Sequence, residues 1–136
     1  MALSMKTRYA IAAMTYLARR YGDGPILSTE IAQKENIPQR FLENILLELK
    51  KTGIINSKQG KAGGYFLLKK PHETSLLEIV RHFEGTIAMV NCVSEKAYQP
   101  CEFCKDEVTC KLRGVFKEIR DNTFEILRQT TLDKLI

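Results

Sequence analysis

The hydrophobic positions of the N-terminal half repeat at the spacing of amphipathic helices, and turn residues interrupt the pattern. A first helix is predicted over Ser4–Tyr21, where Gly22 ends it, from an apolar stripe at Tyr9, Ala13, Met14, Leu17, Ala18 and Tyr21. A short second helix is predicted from "STEIAQKEN", with Ser28 as its N-cap.

The stretch "PQRFLENILLELKKTG" predicts a third helix, with Pro38 at its first position and Gly53 at its end. Its inward positions are predicted to be Phe41, Leu42, Ile45, Leu46 and Leu49. Two β-rich runs follow, "IINSK" and "YFLL", and the glycine-rich "QGKAGG" between them is typical of a hairpin tip. We therefore predict a mainly helical fold with a winged helix-turn-helix, three helices plus a two-stranded wing, over residues 1–72.

The second half is predicted to contain two more helices separated by a loop. Ser75 and Glu78 form a capping box in "SLLEIVRHFEG", which predicts a linking helix within residues 73–90. Residues 91–110 show little periodicity and are predicted to be a loop. A long helix over Val108–Gln129, within residues 108–136, carries an apolar stripe at Leu112, Val115, Phe116, Ile119, Thr123, Ile126 and Leu127. That stripe is too apolar for a helix standing alone and needs a partner.

The net charge of +5 is unevenly distributed along the chain. Residues 1–72 hold 12 Lys and Arg against 5 Asp and Glu, whereas residues 73–136 hold 9 against 11. A basic half favours a polyanionic partner, nucleic acid first and an acidic membrane surface second. Because no apolar run approaches the ~20 residues of a membrane span and no signal-peptide core is visible, we expect a cytoplasmic protein without a membrane span.

Polar residues on the third helix have the chemistry of base readers. Its N-terminal, outward residues are Gln39, Arg40, Glu43 and Asn44. The expected pairings are Arg40 with guanine, Gln39 or Asn44 with adenine, and Glu43 with cytosine. Together with the charge asymmetry they favour duplex DNA as the partner, although a solvated helix face would look similar.

The remaining candidate DNA contacts would be made to the sugar-phosphate backbone or the minor groove. Lys58, Gln59 and Lys61 lie on the predicted wing, where they could reach phosphates or a minor groove. Lys6 and Arg8, at the start of the first helix, could hold a phosphate. Ser28, at the start of the second helix, completes the predicted DNA-binding set.

All four cysteines fall within one short window, with the spacing Cys92-x8-Cys101-x2-Cys104-x5-Cys110. In a reducing compartment such a cluster indicates a metal site or redox thiols more than disulfides. Thiolates bind both iron and zinc strongly, and a loop can fold four of them around one centre. An iron–sulfur cluster, a structural zinc ion and a thiol switch through Cys101 and Cys104 are the alternatives.

The whole chain resembles the winged-helix regulators that include IscR, NsrR, RirA and CymR. The segments that carry the resemblance are "MKTRYAIAAMTYLA", the stretch from "IPQRFLENILLELKKTG" through "KAGGYFLLKKP", the cysteine loop and the terminal "TTLDKLI". The resemblance implies a homodimeric transcription factor that is joined through its long C-terminal helix and grips a palindromic operator. An arginine often precedes the first wing glycine in this family; Gln59 stands there, so Lys61 becomes the better minor-groove candidate.

The resemblance also implies how the cysteines would act. Many members hold an iron–sulfur cluster on three loop cysteines, which match Cys92, Cys104 and Cys110 here. The outside ligands that some members use, a histidine or an aspartate, are replaced by Arg113 and Arg8. Ligation of a [2Fe–2S] or [4Fe–4S] cluster by all four cysteines, with Cys101 as the fourth, is the resulting expectation. Other members carry no cluster and act through a protein partner.

An enzyme is not expected. "HFE" at His82–Glu84 and "PCEFC" at Pro100–Cys104 resemble a zinc-deaminase signature, but such a site needs a sheet between its two halves. No strand is predicted in the intervening residues. The glycines of the wing lack the strand-to-helix context of a phosphate-binding loop.

Overall fold

The computed structural model describes residues 2–103 and 106–136, and it contains five α-helices and a two-stranded sheet in those ranges. The helices are α1 (Met5–Arg19), α2 (Ser28–Glu35), α3 (Gln39–Thr52), α4 (Leu76–Glu84) and α5 (Lys111–Gln129), and the strands are β1 (Ile55–Lys58) and β2 (Gly64–Leu67). Short 3₁₀ turns cover Pro71–Glu73, Asn91–Val93 and Leu132–Leu135. The predicted order of three helices, a hairpin and two further helices is confirmed.

The N-terminal three helices share one core with the hairpin and with both ends of the second half. Its fully buried members include Met14 from α1, Ile31 from α2, Leu46 from α3 and Ile55 from β1. Leu132 near the C-terminus is also fully buried in this core. The last residues of the chain therefore stabilise the N-terminal module.

The wing is an antiparallel hairpin that is fastened to the segment before α2. Its register pairs Ile55 with Leu67 and Lys58 with Gly64. Ile26 and Tyr65 exchange two backbone hydrogen bonds of 2.8 Å. This single antiparallel bridge attaches β2 to the chain just before α2. Because Ile26 lies just before α2, this bridge fixes the wing relative to the helix-turn-helix.

Several predicted boundaries are wrong by one to three residues. Ser28 was expected to be the N-cap of α2, but the cap is Leu27, whose extended backbone lets its carbonyl accept from Glu30 and Ile31. Pro38 likewise occupies the cap position, and α3 begins at Gln39. The last helix begins at Lys111 rather than Val108. By contrast, the capping box of Ser75 and Glu78 on α4 and the ends of the helices at Gly53 and Gly85 are as predicted.

Two aromatic side chains predicted to face the core are exposed. Phe41 is 43% exposed and packs its ring at 77° against Tyr9, with centroids 5.7 Å apart. Tyr21 follows the end of α1, in the turn, and is 45% exposed. Both lie at the margin of the apolar stripe, where a helical period alone does not separate core from surface.

The α5 helix stands apart from the core. Residues Lys111–Gln129 are all described, and none of them is buried. Its large apolar side chains Leu112, Val115, Ile119 and Ile126 are 41–65% exposed. Phe124 and Leu127, on another face, pack against the small second core formed by Leu77, Val80 and Ile87.

Candidate nucleic-acid interface and cysteine pocket

The α3 helix presents one buried face and one polar face. Its buried side chains are Leu42, Ile45, Leu46 and Leu49. Arg40, Glu43 and Asn44 are exposed on the surface, together with the apolar Leu47. The side chains of Arg40 and Asn44 make no hydrogen bond or ion pair with any other residue in the described ranges. They can therefore bind a ligand without first breaking an internal contact.

Gln39 differs from the other predicted readers because it is engaged within the protein. Its Nε2 donates to the Ser28 Oγ at 3.0 Å and to the Glu43 Oε1 at 2.9 Å. The first contact joins α3 to the start of α2, and the second joins two residues one turn apart on α3. Ser28, Gln39 and Glu43 thus form a hydrogen-bonded network, which we call the Gln39 network.

The wing contributes exposed cations next to a cleft. Lys58, Gln59 and Lys61 are exposed, and within the described chain their side chains make no hydrogen bond or ion pair. A cleft of about 250 Å³ separates the wing from the start of α2, and its lining includes Ser28 and Tyr65.

The N-terminus of α1 already holds a carboxylate. Glu84, at the end of α4, accepts from the Ser4 backbone N–H at 2.8 Å and from the Thr7 hydroxyl at 2.5 Å. The hydrogen bond from Thr7, followed by that from Ser4, lowers the pKa of Glu84. An internal anion thus occupies the place where Lys6 and Arg8 were expected to hold a phosphate.

Of those two cations, Lys6 pairs with an internal carboxylate, and Arg8 pairs with no carboxylate in the described ranges. Lys6 donates to the Glu48 carboxylate of α3 at 2.5 Å, and this contact is the main reason that the pKa of Glu48 is lowered. His82 of α4 lies 3.4 Å from the other oxygen of Glu48. Arg8 is exposed, and its Nη1 donates to the Met5 sulfur at 3.9 Å. The phosphate role of Lys6 stays a prediction, and it would compete with an internal ion pair.

Three of the four cysteines line one pocket of about 250 Å³ at the start of α5. Cys92 is 7% exposed within a 3₁₀ turn, Cys101 is exposed, and Cys110 is the N-cap of α5. The Cys110 Sγ accepts from the Arg113 backbone N–H at 3.4 Å. Cys104 lies outside the described residues.

The cysteine side chains of this pocket are suitable ligands for a metal ion or cluster, but the described ones are not gathered around one centre. Thiolates are the ligands that iron–sulfur clusters and zinc prefer. Among the residues with described positions, no three His, Cys, Asp or Glu side chains converge into a group that could hold a metal ion. The residue types therefore fit, and the loop would have to tighten around the group that it binds.

Arginines of α5 fasten the segment that carries Cys92. The Arg113 Nε donates to the Cys92 carbonyl at 3.3 Å, and the Arg120 Nη1 donates to the Val93 carbonyl at 2.7 Å. On the other side, Arg81 of α4 pairs with Glu95 at 2.9 Å. We call these contacts the arginine clasp. Sequence reasoning missed it, because no local signal shows which carbonyl a surface arginine will reach.

No helix in the described parts of the chain has the length and apolar character that crossing a bilayer requires. The three-helix core, the hairpin fastened beside α2 and the exposed polar face of α3 define a winged helix-turn-helix DNA-binding protein. The sequence model of the Rrf2 family, described as an iron-dependent transcriptional regulator, matches residues 3–136. The chain belongs to this family and is a DNA-binding transcription regulator, as the resemblance implied.

Curated relatives match over nearly their whole length. An Rrf2-like HTH-type transcriptional regulator of Rhodobacter capsulatus is 40% identical over 137 residues, which cover 98% of this chain and 91% of the relative. The HTH-type regulator CymR of Bacillus subtilis is 34% identical over 135 residues, 99% of this chain and 89% of the relative. These relatives are transcription regulators, which confirms that the chain is not an enzyme.

Solved structures give the same fold. The structure of CymR from B. subtilis, named there the global cysteine regulator, has a TM-score of 0.83 and 31% identity, and the match covers 99% of this chain and 95% of that one. The structure of IscR from T. potens has a TM-score of 0.77 at 24% identity, covering 99% and 85%, and supports the fold alone.

Proposed function

We propose that this regulator binds duplex DNA as a cytoplasmic homodimer and that an iron–sulfur cluster on Cys92, Cys101, Cys104 and Cys110 sets its DNA affinity. The observation that carries the proposal is the shared pocket of Cys92, Cys101 and Cys110 at the start of α5. A bound cluster would supply a centre that responds to oxygen, nitric oxide or iron supply. The description of the family as iron-dependent agrees with this proposal.

The exposed face of α5 supports the homodimer. Leu112, Val115, Ile119 and Ile126 form an apolar stripe along one side of the helix, and no described residue of the same chain covers it. A second copy of α5 would bury these side chains and would bring two DNA-reading modules together. Two modules about one helical turn apart, ~34–36 Å, would match a palindromic operator.

The protein's own residues provide the link from the pocket to DNA. The arginine clasp ties the Cys92 segment to α5 and α4, and Glu84 ties the end of α4 to the start of α1. If the cysteine loop closed around a bound group, these contacts would transmit the movement to α4, α5 and α1. The distance between the two DNA-binding modules of the dimer would then change. Misplacement by a few ångströms weakens specific contacts more than phosphate contacts.

The experiment that tests this proposal is metal and sulfide analysis of anaerobically purified protein, together with operator binding. Iron and sulfide in a ratio near one, lost in the Cys92→Ser variant, support the cluster. Replacing Ile119 with Asp should give a monomer by sedimentation, whereas Lys117→Asp, on the opposite side of α5, should leave the dimer intact. Stoichiometric zinc without sulfide would instead assign a structural zinc site.

A cluster-free regulator of the same fold is the second candidate. It is favoured by the lack of a converged metal group among the described residues and by the likeness to CymR of B. subtilis. In that case a partner protein or thiol oxidation would control DNA binding. A four-cysteine-to-serine variant that regulates like the parent under every redox condition would assign control to a partner protein, and one that loses only its oxidant response would assign it to the thiols.

A further inference from the structure

We propose that Gln39 does not read a base itself but positions the Glu43 carboxylate, which reads one. The inference rests on the proposed use of α3 to read the major groove. It replaces the expected pairing of Gln39 with adenine by a positioning role. The Gln39 network carries the argument.

Both donors of the Gln39 amide are already in use. An amide side chain has two N–H donors and one carbonyl acceptor. Nε2 lies 3.0 Å from the Ser28 Oγ and 2.9 Å from the Glu43 Oε1. An ionised carboxylate only accepts hydrogen bonds, so the amide nitrogen, and not its oxygen, must face Glu43.

Adenine reading by a glutamine needs a donor that Gln39 lacks. The bidentate contact uses one N–H toward N7 and the carbonyl oxygen toward the N6 amino group. With both N–H groups committed, Gln39 can offer only its oxygen. To read adenine it would have to release Ser28 or Glu43, and release of Glu43 would break a hydrogen bond to a charged group.

Glu43, in contrast, is held in place with acceptor capacity left over. One of its oxygens is fixed by Gln39, which Ser28 of α2 anchors in turn, and the other oxygen makes no hydrogen bond within the described chain. Burial raises the pKa of Tyr65 on the wing, and the negative charge of Glu43 adds to this effect. A fixed carboxylate selects a base edge that donates, which is the N4 amino group of cytosine or the N6 amino group of adenine.

The test is selection of preferred duplexes from a random pool by the full-length parent and by variants. Gln39→Met keeps the side-chain length and removes its hydrogen bonds, and Glu43→Gln removes the charge. Both changes should relax the preference at the same base pair, each by about tenfold, and the double variant should lose little more than either single variant. Ser28→Ala, which removes the anchor of Gln39, should relax the preference at that same base pair to a smaller extent.

The matched control is Asn44→Ala, because Asn44 lies on the same face and makes no side-chain contact with the Gln39 network. Its effect should fall at another base pair and should add to that of Glu43→Gln. The inference is overturned if Gln39→Met abolishes an adenine preference at a separate base pair and adds to Glu43→Gln, or if it changes no preference at all. A parent that selects no sequence would overturn the proposed function as well.

Discussion

The hydroxyl of Thr7, in α1, donates a 2.5 Å hydrogen bond to the carboxylate of Glu84, the last residue of α4. The donor and the acceptor are separated by 77 residues in the sequence. Thr7 is fully buried, and the Glu84 carboxylate also caps the first turn of α1 through the Ser4 N–H. This contact joins the helix that leads to the cysteine loop with the first helix of the DNA-binding half.

We predict that Glu84→Gln lowers the free energy of unfolding at neutral pH by about 1–2 kcal/mol, because two hydrogen bonds to a charged group are weakened. The lowered pKa of Glu84 means that its contribution is fully present above the unfolded value of 4.5 and is lost as the pH falls through the folded value. Urea unfolding should therefore separate parent and variant at pH 7, and the difference should shrink as the pH falls below 4.5. Glu118→Gln, on the surface of α5, is the control. An equal loss of unfolding free energy in this control would mean that the contacts of Glu84 with Ser4 and Thr7 do not stabilise the protein.

We predict that Lys58→Ala and Lys61→Ala weaken DNA binding for all sequences alike. Each lysine is exposed on the wing, and each phosphate contact removed should reduce the slope of log affinity against log salt by about 0.9. Titration of one duplex at several salt concentrations measures this slope. Lys96→Ala removes an exposed lysine far from the wing and should leave the slope unchanged. A change of sequence preference without a change of slope would instead make these lysines base readers.

Gly64→Ala should both destabilise the protein and impair the wing. Gly64 has φ +143°, and an added Cβ would lie 2.4 Å from the Ile26 carbonyl carbon and oxygen. Since this clash falls on backbone that cannot rotate away, we expect a loss of about 2 kcal/mol or more in the free energy of unfolding. Thermal unfolding and DNA titration check both effects. Gly114→Ala, in open space on α5, should be neutral or stabilising by up to about 1 kcal/mol, and an equal loss there would contradict the clash.

Arg113→Met should loosen the segment that carries Cys92 in the metal-free protein. The variant keeps the backbone N–H that caps α5 at Cys110 but loses the guanidinium that holds the Cys92 carbonyl. Because Cys92 is only 7% exposed, its alkylation depends on local opening, and we expect the rate to rise several-fold. Mass spectrometry after timed alkylation measures it residue by residue. Arg128→Met is the control, since Arg128 pairs with Glu125 within α5. If both variants were alkylated at the same rate, the arginine clasp would not hold the Cys92 segment and could not connect the cysteine pocket to the DNA-binding half.

The local parts of this molecule were predictable because their causes are local. Helical spacing identified α3 and its buried Leu42 and Leu46, and side-chain chemistry located the cap of α4 at Ser75. Phe41 was assigned to the core wrongly, because its ring packs against Tyr9 on another helix at the surface. Helical period cannot report such a partner.

The candidate site was predictable in composition but not in connectivity. The sequence indicated which polar residues lie on α3 and which cysteines lie near one another. It could not show that Lys6 pairs with Glu48, 42 residues away, or that the Gln39 amide donates to both Ser28 and Glu43. The contacts of Lys6 with Glu48 and of Gln39 with Ser28 join different helices and depend on how those helices cross, which tertiary packing determines, whereas the pair of Gln39 and Glu43 lies within α3.

The α5 helix has no buried residue of its own, yet it supplies two of the three arginines of the arginine clasp, Arg113 and Arg120. If two protomers pair along its exposed stripe, the helix is stabilised by association, and its order then depends on protein concentration. Dilution would loosen α5 and the loop fastened to it together. The concentration of the regulator in the cell would then affect the order of the pocket lined by Cys92, Cys101 and Cys110, in addition to any chemical signal that acts there.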